Sequence, residues 1–300
     1  MTGELKFRRD FDAEYAVMET VSPLIRRIVA RNPGPFTYKG TGTYIVGHGE
    51  VAIIDPGPDL EEHIDAQLKA LSGETVSHIV VTHTHHDHSP AAGPVQEATG
   101  AITYAYGPHG FGQTGDSPTL EEGGDRDFIP DVEVRDGDVI EGEGWSLECV
   151  FTPGHTSNHM CYALREENAL FPGDHVMGWS TTVVSPPDGD MGAYMASLQR
   201  LTERDDAIYW PTHGHPVENP RPYVRALIGH RRQRETQIAK CIEQGLNHIP
   251  EMVTSMYQGL DERLIPAARR SVLAHIIHMV DTGRLVSVGE VSPDGEYRLA

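Results

Sequence analysis

The stretch that most constrains this chain is six residues long. His83-Thr84-His85-His86-Asp87-His88 follows directly on the apolar run Val76–Thr82. A compact Val/Ile run of that kind reads as a buried strand, so the cluster stands where a strand ends. Four imidazoles in six residues are costly to bury, and imidazole is a ligand suited to zinc, iron or nickel. A solvated polar turn or a casual His-rich tract is the competing reading. Three further segments favour the metal. Thr152-Pro153-Gly154-His155, Phe171-Pro172-Gly173-Asp174 and Pro211-Thr212-His213-Gly214 each close a strand-like run with a Gly-containing turn and a potential ligand. The candidate ligands are therefore His83, His85, Asp87, His88, His155, Asp174 and His213. A catalytic zinc takes about three protein ligands and keeps a position open. Seven donors suit two ions sharing one carboxylate, which makes Asp87 and Asp174 the candidate catalytic carboxylates.

Around these segments the chain changes character once. Its first two-thirds alternates short β-type runs with Gly/Pro punctuation: Ser22–Ala30, Thr43–Gly47, Val51–Asp55, Val76–Thr82, Ala101–Tyr106 and Ala207–Trp210, with Asp131–Ile140, Trp145–Phe151, His159–Leu164 and Ala169–Phe171 as a run of antiparallel strands. Helices are expected over Asp59–Leu71, Ala91–Thr99 and from an Asp190 N-cap to Leu201, and a loop over residues 107–127. From Pro222 the pattern becomes helical, with Tyr223–Ile242 and Arg269–Val280 as helices and a Pro-Asp-Gly hairpin at the end. Charge shifts at the same place. Residues 1–218 hold 13 Lys+Arg against 35 Asp+Glu, a balance of −22, and residues 219–300 hold 11 against 9, a balance of +2. We expect a catalytic domain at 1–220 and a helical, winged-helix-like domain at 221–300.

Composition excludes several classes. No apolar run approaches the roughly 18–20 residues of a membrane span, and the N-terminus mixes charges without the apolar core of a secretory signal. Three cysteines, Cys149, Cys161 and Cys241, form no disulfide framework. A cytoplasmic location is expected, with no membrane partner. The oligomeric state is not legible.

The order HxHxDH, PGHT, GD and a strand-end His resembles the metallo-β-lactamase fold superfamily of dinuclear hydrolases over roughly residues 30–235. Within it, NPGPFTYKGTGTYIVG, VVTHTHHDHSPAAG, FTPGHTSNHM and HRRQRETQI are most similar to the lactamase-β-2 group, with hydroxyacylglutathione hydrolase (glyoxalase II) more distant. The resemblance implies a four-layer αββα sandwich with a C-terminal winged-helix-like piece. It also implies a ligand map: His83, His85 and His155 on one ion, Asp87, His88 and His213 on the other, and Asp174 bridging. The group includes an endoribonuclease and thioesterases acting on carrier-protein substrates.

Two zinc ions are the expected cofactor, with iron or manganese as alternatives. A water between ions about 3.5–4 Å apart would become a hydroxide nucleophile near neutral pH. Two divalent ions, two carboxylates and that hydroxide leave one net positive charge, so anionic or carbonyl substrates are both acceptable; a small carbonyl substrate (ester, thioester, lactone or lactam-like) is the expectation. Single-stranded RNA is the alternative, with Arg221, Arg225, Arg231, Arg232 and Arg234 as footprint, but the −22 body and the HHDHSP form of the cluster disfavour it. A metal-binding scaffold without turnover and an iron-dependent oxidative member of the fold are further readings. Asp55 reads either as a residue that steadies the His83–His88 loop from behind or as a simple Asx turn. Phe36, Tyr38, Trp179, Thr181 and Thr182, in two loops, either contact substrate or cap the core. His86, His159 and His175 flank ligands without coordinating, and His275 and His278 read as solvated.

Overall fold

In the computed structural model, which describes residues 5–110 and 123–300, two β-sheets stack face to face between helices. The first sheet has seven strands in chain order: β1 (Met18–Thr20), β2 (Ile25–Val29), β3 (Gly42–His48), β4 (Glu50–Ile54), β5 (Thr75–Val80), β6 (Ile102–Ala105) and β7 (Val132–Glu133). Helices α1 (Glu61–Ala70) and α2 (Ala92–Thr99) lie on its outer face. The second sheet runs from β8 (Val139–Gly142) through β9 (Trp145–Phe151), β10 (Met160–Leu164), β11 (Ala169–Phe171) and β12 (Ile208–Tyr209) to β13 (Val217–Glu218), with α3 (Met191–Leu201) outside it.

Side-chain alternation explains the layering. On β4, Ala52 and Ile54 face the second sheet while Val51 and Ile53 face the helices. On β10, Met160, Tyr162 and Leu164 join the core between the sheets, and Cys161 and Ala163 turn outward to α3. A strand covered on both faces must be apolar at every position, which is why these runs show no polar alternation. The expected αββα sandwich is the observed one.

Strand direction places the chemistry. β9 and β11 both run antiparallel to β10, and β11 is parallel to β12, so β9, β11 and β12 point the same way. Their C-terminal ends therefore reach one rim, where His155, Asp174 and His213 follow. β5 of the first sheet delivers the His83–His88 loop to the same rim. Gly154 lets this happen at close quarters. Its φ is +137°, and a Cβ there would stand 2.3 Å from the backbone N and Cα of Tyr194 at the start of α3.

The C-terminal end holds α4 (Pro220–Glu243), α5 (Ile249–Met256), α6 (Ile265–Asp281) and an antiparallel pair, β14 (Leu285–Val288) and β15 (Glu296–Leu299). Val224, Leu227 and Ile228 of α4 join the core beneath the second sheet, whereas Ile238 and Cys241 join a separate core with α5, α6, Leu285 and Tyr297. No described helix is long and apolar enough to cross a membrane, and all three cysteines are free and buried.

Several expectations need correction. Asp131–Ile140 is not one strand. It divides into β7, parallel to β6, and β8 in the other sheet, because Gly137 turns the chain at φ +83° and its N–H donates to Cys149 O. Helix α5 was not foreseen, being only eight residues long. His275 is buried rather than solvated, and His278 is largely covered, with its Nδ1 2.8 Å from Glu235 Oε1. Arg231 is 3% exposed, so it leaves the expected basic footprint. Of the loop expected at 107–127, residues 111–122 lie outside the described residues.

Candidate metal centre

All seven candidate ligands meet at the rim. Among the described residues, three groups offer one donor atom each within 4.8 Å of one another: His83, His85 and His155; His83, His88 and Asp174; and Asp87, His88 and His213. In the first group His83 Nε2 lies 3.0 Å and His155 Nε2 3.1 Å from His85 Nδ1. In the last, His88 Nε2 and His213 Nε2 lie 3.3 and 3.2 Å from Asp87 Oδ2. Asp174 stands between them. Its Oδ1 is 3.7 Å from His88 Nε2, and its Oδ2 is 3.4 Å from His213 Nε2 and 3.9 Å from His155 Nε2.

These separations fit a cation. Ligands about 2.0–2.1 Å from a tetrahedral zinc stand roughly 3.3 Å from one another. Three imidazole nitrogens facing one point also cannot satisfy each other, since neutral imidazole has one donor and one acceptor. His88 Nε2 and Asp174 Oδ1 are buried without any hydrogen-bond partner, a costly state unless an ion completes them.

Four of the five rings, all but His85, are aimed by their other nitrogen. His88 Nδ1 lies 2.9 Å from Asp55 Oδ2, His155 Nδ1 2.6 Å from Val183 O, His213 Nδ1 3.1 Å from Gly40 O, and His83 Nδ1 3.1 Å from Thr82 Oγ1. Asp55 is itself fixed by the N–H and hydroxyl of Thr82, each at 2.7 Å. Such partners orient metal-binding imidazoles and raise their basicity. Asp55 thus bonds both Thr82 and His88, at the two ends of the histidine loop.

Electrostatics separate the two halves. Burial and the neighbouring imidazoles hold His83 well below its usual pKa, and burial with His155 does the same to His85, so both stay neutral, the state metal binding requires of an imidazole. On the other side burial opposes charge, but the carboxylates outweigh it. Asp174 and Asp87 push His213 up to about 10, and Asp87, Asp174 and Asp55 raise His88 well above its usual value. Asp87 and Asp174 are in turn held ionised by His88 and His213 despite their burial. That half of the site calls for positive charge.

Around the ligands the expectations divide. Pro35, Phe36, Met177, Trp179, Thr181 and Val183 line a cavity of about 30 Å³ beside His155 and Asp174. On the other side of Phe36 a cavity of about 290 Å³ reaches His86 and Asp87. Tyr38 stacks behind Trp179, ring centroids 4.7 Å apart. Thr182 does not face the cavity. It is buried, and its hydroxyl donates to Asp174 O at 2.7 Å. His86 is exposed, while His159 and His175 are fully buried, His159 stacked on His83 with centroids 5.1 Å apart. Two residues were missed. Thr41 donates to Asp87 Oδ2 at 2.9 Å, and Asn158 Nδ2 donates to Thr84 Oγ1 at 2.9 Å. Both lie far along the chain from their partners, and no local pattern announces them.

The sequence matches the Metallo-beta-lactamase superfamily over residues 38–213 and the Beta-lactamase associated winged helix domain over residues 249–294. It is 33% identical over 267 residues to the lactamase-like protein adaB of Aspergillus niger, covering 82% of this chain and 77% of that one. It is 31% identical over 269 residues to an atrochrysone carboxyl ACP thioesterase of Claviceps purpurea, covering 86% and 80%. A beta-lactamase domain protein from Burkholderia ambifaria shares the fold at a TM-score of 0.78 with 22% identity, covering 97% and 96%. A rim of buried His and Asp residues on this sandwich, matched along more than half of the chain, makes the protein a member of the metallo-beta-lactamase superfamily, a fold that implies divalent-metal binding, with a winged helix domain at its C-terminal end.

Proposed function

We propose that the protein is a hydrolase that holds two zinc ions and cleaves an acyl carbonyl bond, a thioester first among the ester, lactone and lactam-like alternatives. The observation that carries this reading is Asp174, whose two oxygens face different histidines: Oδ1 faces His88, and Oδ2 faces His213 and His155. His83, His85 and His155 would hold one ion and Asp87, His88 and His213 the other, with Asp174 shared. His and Asp donors at tetrahedral spacing suit zinc, while leaving iron and manganese as alternatives. When bound, the ions polarise the scissile carbonyl and acidify water enough for attack near neutral pH.

The chain's own residues do the rest. Asp55, Val183 O and Gly40 O keep three imidazoles aimed inward. Thr41 pins Asp87 through one oxygen. Phe36, Trp179 and Thr181 form the wall against which an acyl group lies, and Tyr38 stiffens Trp179 from behind. The cavity of about 290 Å³ between Phe36 and Asp87 has room for the larger part of a substrate. The kinship with a chain named as a carboxyl ACP thioesterase supports the thioester. Burial of Arg231 counts against RNA, because it removes a cation from the one basic stretch. On this reading residues 1–220 carry catalysis and residues 221–300 support it.

The test is turnover on a panel of acyl thioester, lactone, β-lactam and single-stranded RNA substrates with zinc supplied. Thioester hydrolysis that Asp174→Ala abolishes supports the proposal. RNA cleavage as the fastest activity would overturn it.

A further inference from the structure

Helix α4 does more than join the two ends of the molecule. Arg231, in its middle, is buried, and its guanidinium lies over the Tyr194 ring with Cζ 5.1 Å from the centroid. Its Nη2 donates a short hydrogen bond to the carbonyl of Thr182. That carbonyl belongs to a segment in contact with two of the seven candidate ligands. The hydroxyl of Thr182 donates to Asp174 O at 2.7 Å and to His175 O at 3.1 Å. The carbonyl of the next residue, Val183, accepts from His155 Nδ1 at 2.6 Å. Tyr194, under the guanidinium, donates through its hydroxyl to His175 O at 3.0 Å, holding the far side of the same turn.

We propose that Arg231 is a positioning residue for the metal centre: by clamping the Thr182 carbonyl it fixes the 182–183 segment that aims His155 and steadies Asp174. The inference rests on the reading of His155 and Asp174 as metal ligands. The physical argument is one of stiffness. Residues 176–187 form a loop without regular structure, running from Val176 to Pro187. A loop carbonyl can aim a ring only if it is itself held. Val183 has its carbonyl turned to His155, so the restraint has to come from beside it, and Arg231 supplies it from a 24-residue helix. A guanidinium suits this task because its planar fork reaches a carbonyl while its face stacks on an aromatic ring. Through this contact the C-terminal part of the chain acts on the rim without touching substrate.

The test measures metal binding as well as turnover. Zinc affinity is read by competition with a chromophoric chelator, and ligand geometry by the visible absorption of the cobalt-substituted protein. In Arg231→Met, which keeps the volume but loses the donor, we expect zinc affinity to fall about 10–100-fold, the range for loss of a group that orients a ligand. The cobalt bands of the folded protein should shift. Arg231→Lys, which restores one donor to the carbonyl, should recover part of the affinity. A residue that merely stabilised the fold would lower the melting temperature and leave the cobalt spectrum alone. Unchanged affinity and spectrum in folded Arg231→Met would overturn the proposal. Should Arg231→Met not fold, Arg231→Lys decides: zinc weaker than in the wild type with shifted bands supports the clamp, and wild-type affinity and spectrum refute it. His155→Ala separates the two ideas. Full zinc occupancy there would remove the ligand reading itself, whereas weakened zinc there beside wild-type binding in Arg231→Met would remove only the clamp.

Discussion

Asp174 is the side chain whose loss should be felt most widely, because its oxygens face donors from both halves of the rim. Purified wild-type protein should hold close to two metal ions per chain, and Asp174→Ala should lower the occupancy of both. Metal analysis after dialysis checks this, and two ions retained in the variant would count against the sharing of Asp174. Asp55 offers a finer test. Its Oδ2 holds His88 Nδ1 at 2.9 Å, and an amide in its place can turn a donor toward the ring. Asp55→Asn should therefore weaken metal binding about 10–100-fold without unfolding the protein, and titration with a competing chelator would reveal an unaltered affinity if the contact were idle. The candidate ligands were legible in the sequence because each stands just past a strand-like run, His155, Asp174 and His213 beside a glycine, a local pattern. Their orienting partners were not. Gly40 O, Val183 O and Thr41 reach the site from loops that sequence spacing cannot aim, and Thr182, read as either a substrate contact or a cap on the core, is buried with its hydroxyl turned to the backbone.

At the scale of elements, α4 and α6 show why a polar helix face was misread. His275 and His278 stand three apart on α6, a spacing that puts both on one face, and that face meets Glu235 of α4. The partner lies 43 residues away from His278, beyond the reach of any periodicity. Burial pushes His275 down to about 4, in spite of Glu235. Burial works against ionisation of Glu235, but His275, Arg284 and His278 hold its carboxyl down to about 2. Both shifts have the same consequence in acid. A buried neutral His275 binds its proton later than it would unfolded, so its contribution is full above 6.5 and is lost as the pH falls from 6.5 toward 4. Glu235 contributes fully above 4.5, and that contribution is lost as the pH falls from 4.5 toward 2. Hydrogen-exchange protection of α6 should thus decline in acid across both windows. Glu235→Gln should start from lower protection at neutral pH and show little further loss below 4.5. An acid profile in that variant identical to wild type would remove Glu235 from the account.

On the scale of the whole molecule, charge and site pull in opposite directions. The chain carries a formal −20, from −22 before residue 219 and +2 after it, yet its rim gathers the donors of a candidate metal centre. A polyanion approaching this surface meets repulsion at long range, and the helix expected to attract it gives up Arg231 to the interior while Arg225 and Arg232 remain exposed. RNA affinity, where measurable, should be weak and steep in salt, with a slope of about −0.7 for each phosphate contacted on a single strand. Turnover of a small acyl thioester should respond differently. Its rate depends on charges confined to a buried rim, which salt screens far less than exposed ones. We expect kcat/KM for such a substrate to change less than about twofold between low and physiological salt, where the Debye length falls from roughly 30 to 8 Å. Charge reversal at two of the three exposed arginines of the stretch (Arg221, Arg225 and Arg232), Arg225→Glu with Arg232→Glu, should leave that turnover intact while further weakening what RNA binding there is. Steady-state kinetics over a salt series, with and without the double substitution, checks both statements. If the double substitution abolished the fastest activity of the protein, its substrate would be one recognised by charge along α4, and the carbonyl reading would give way to the phosphodiester.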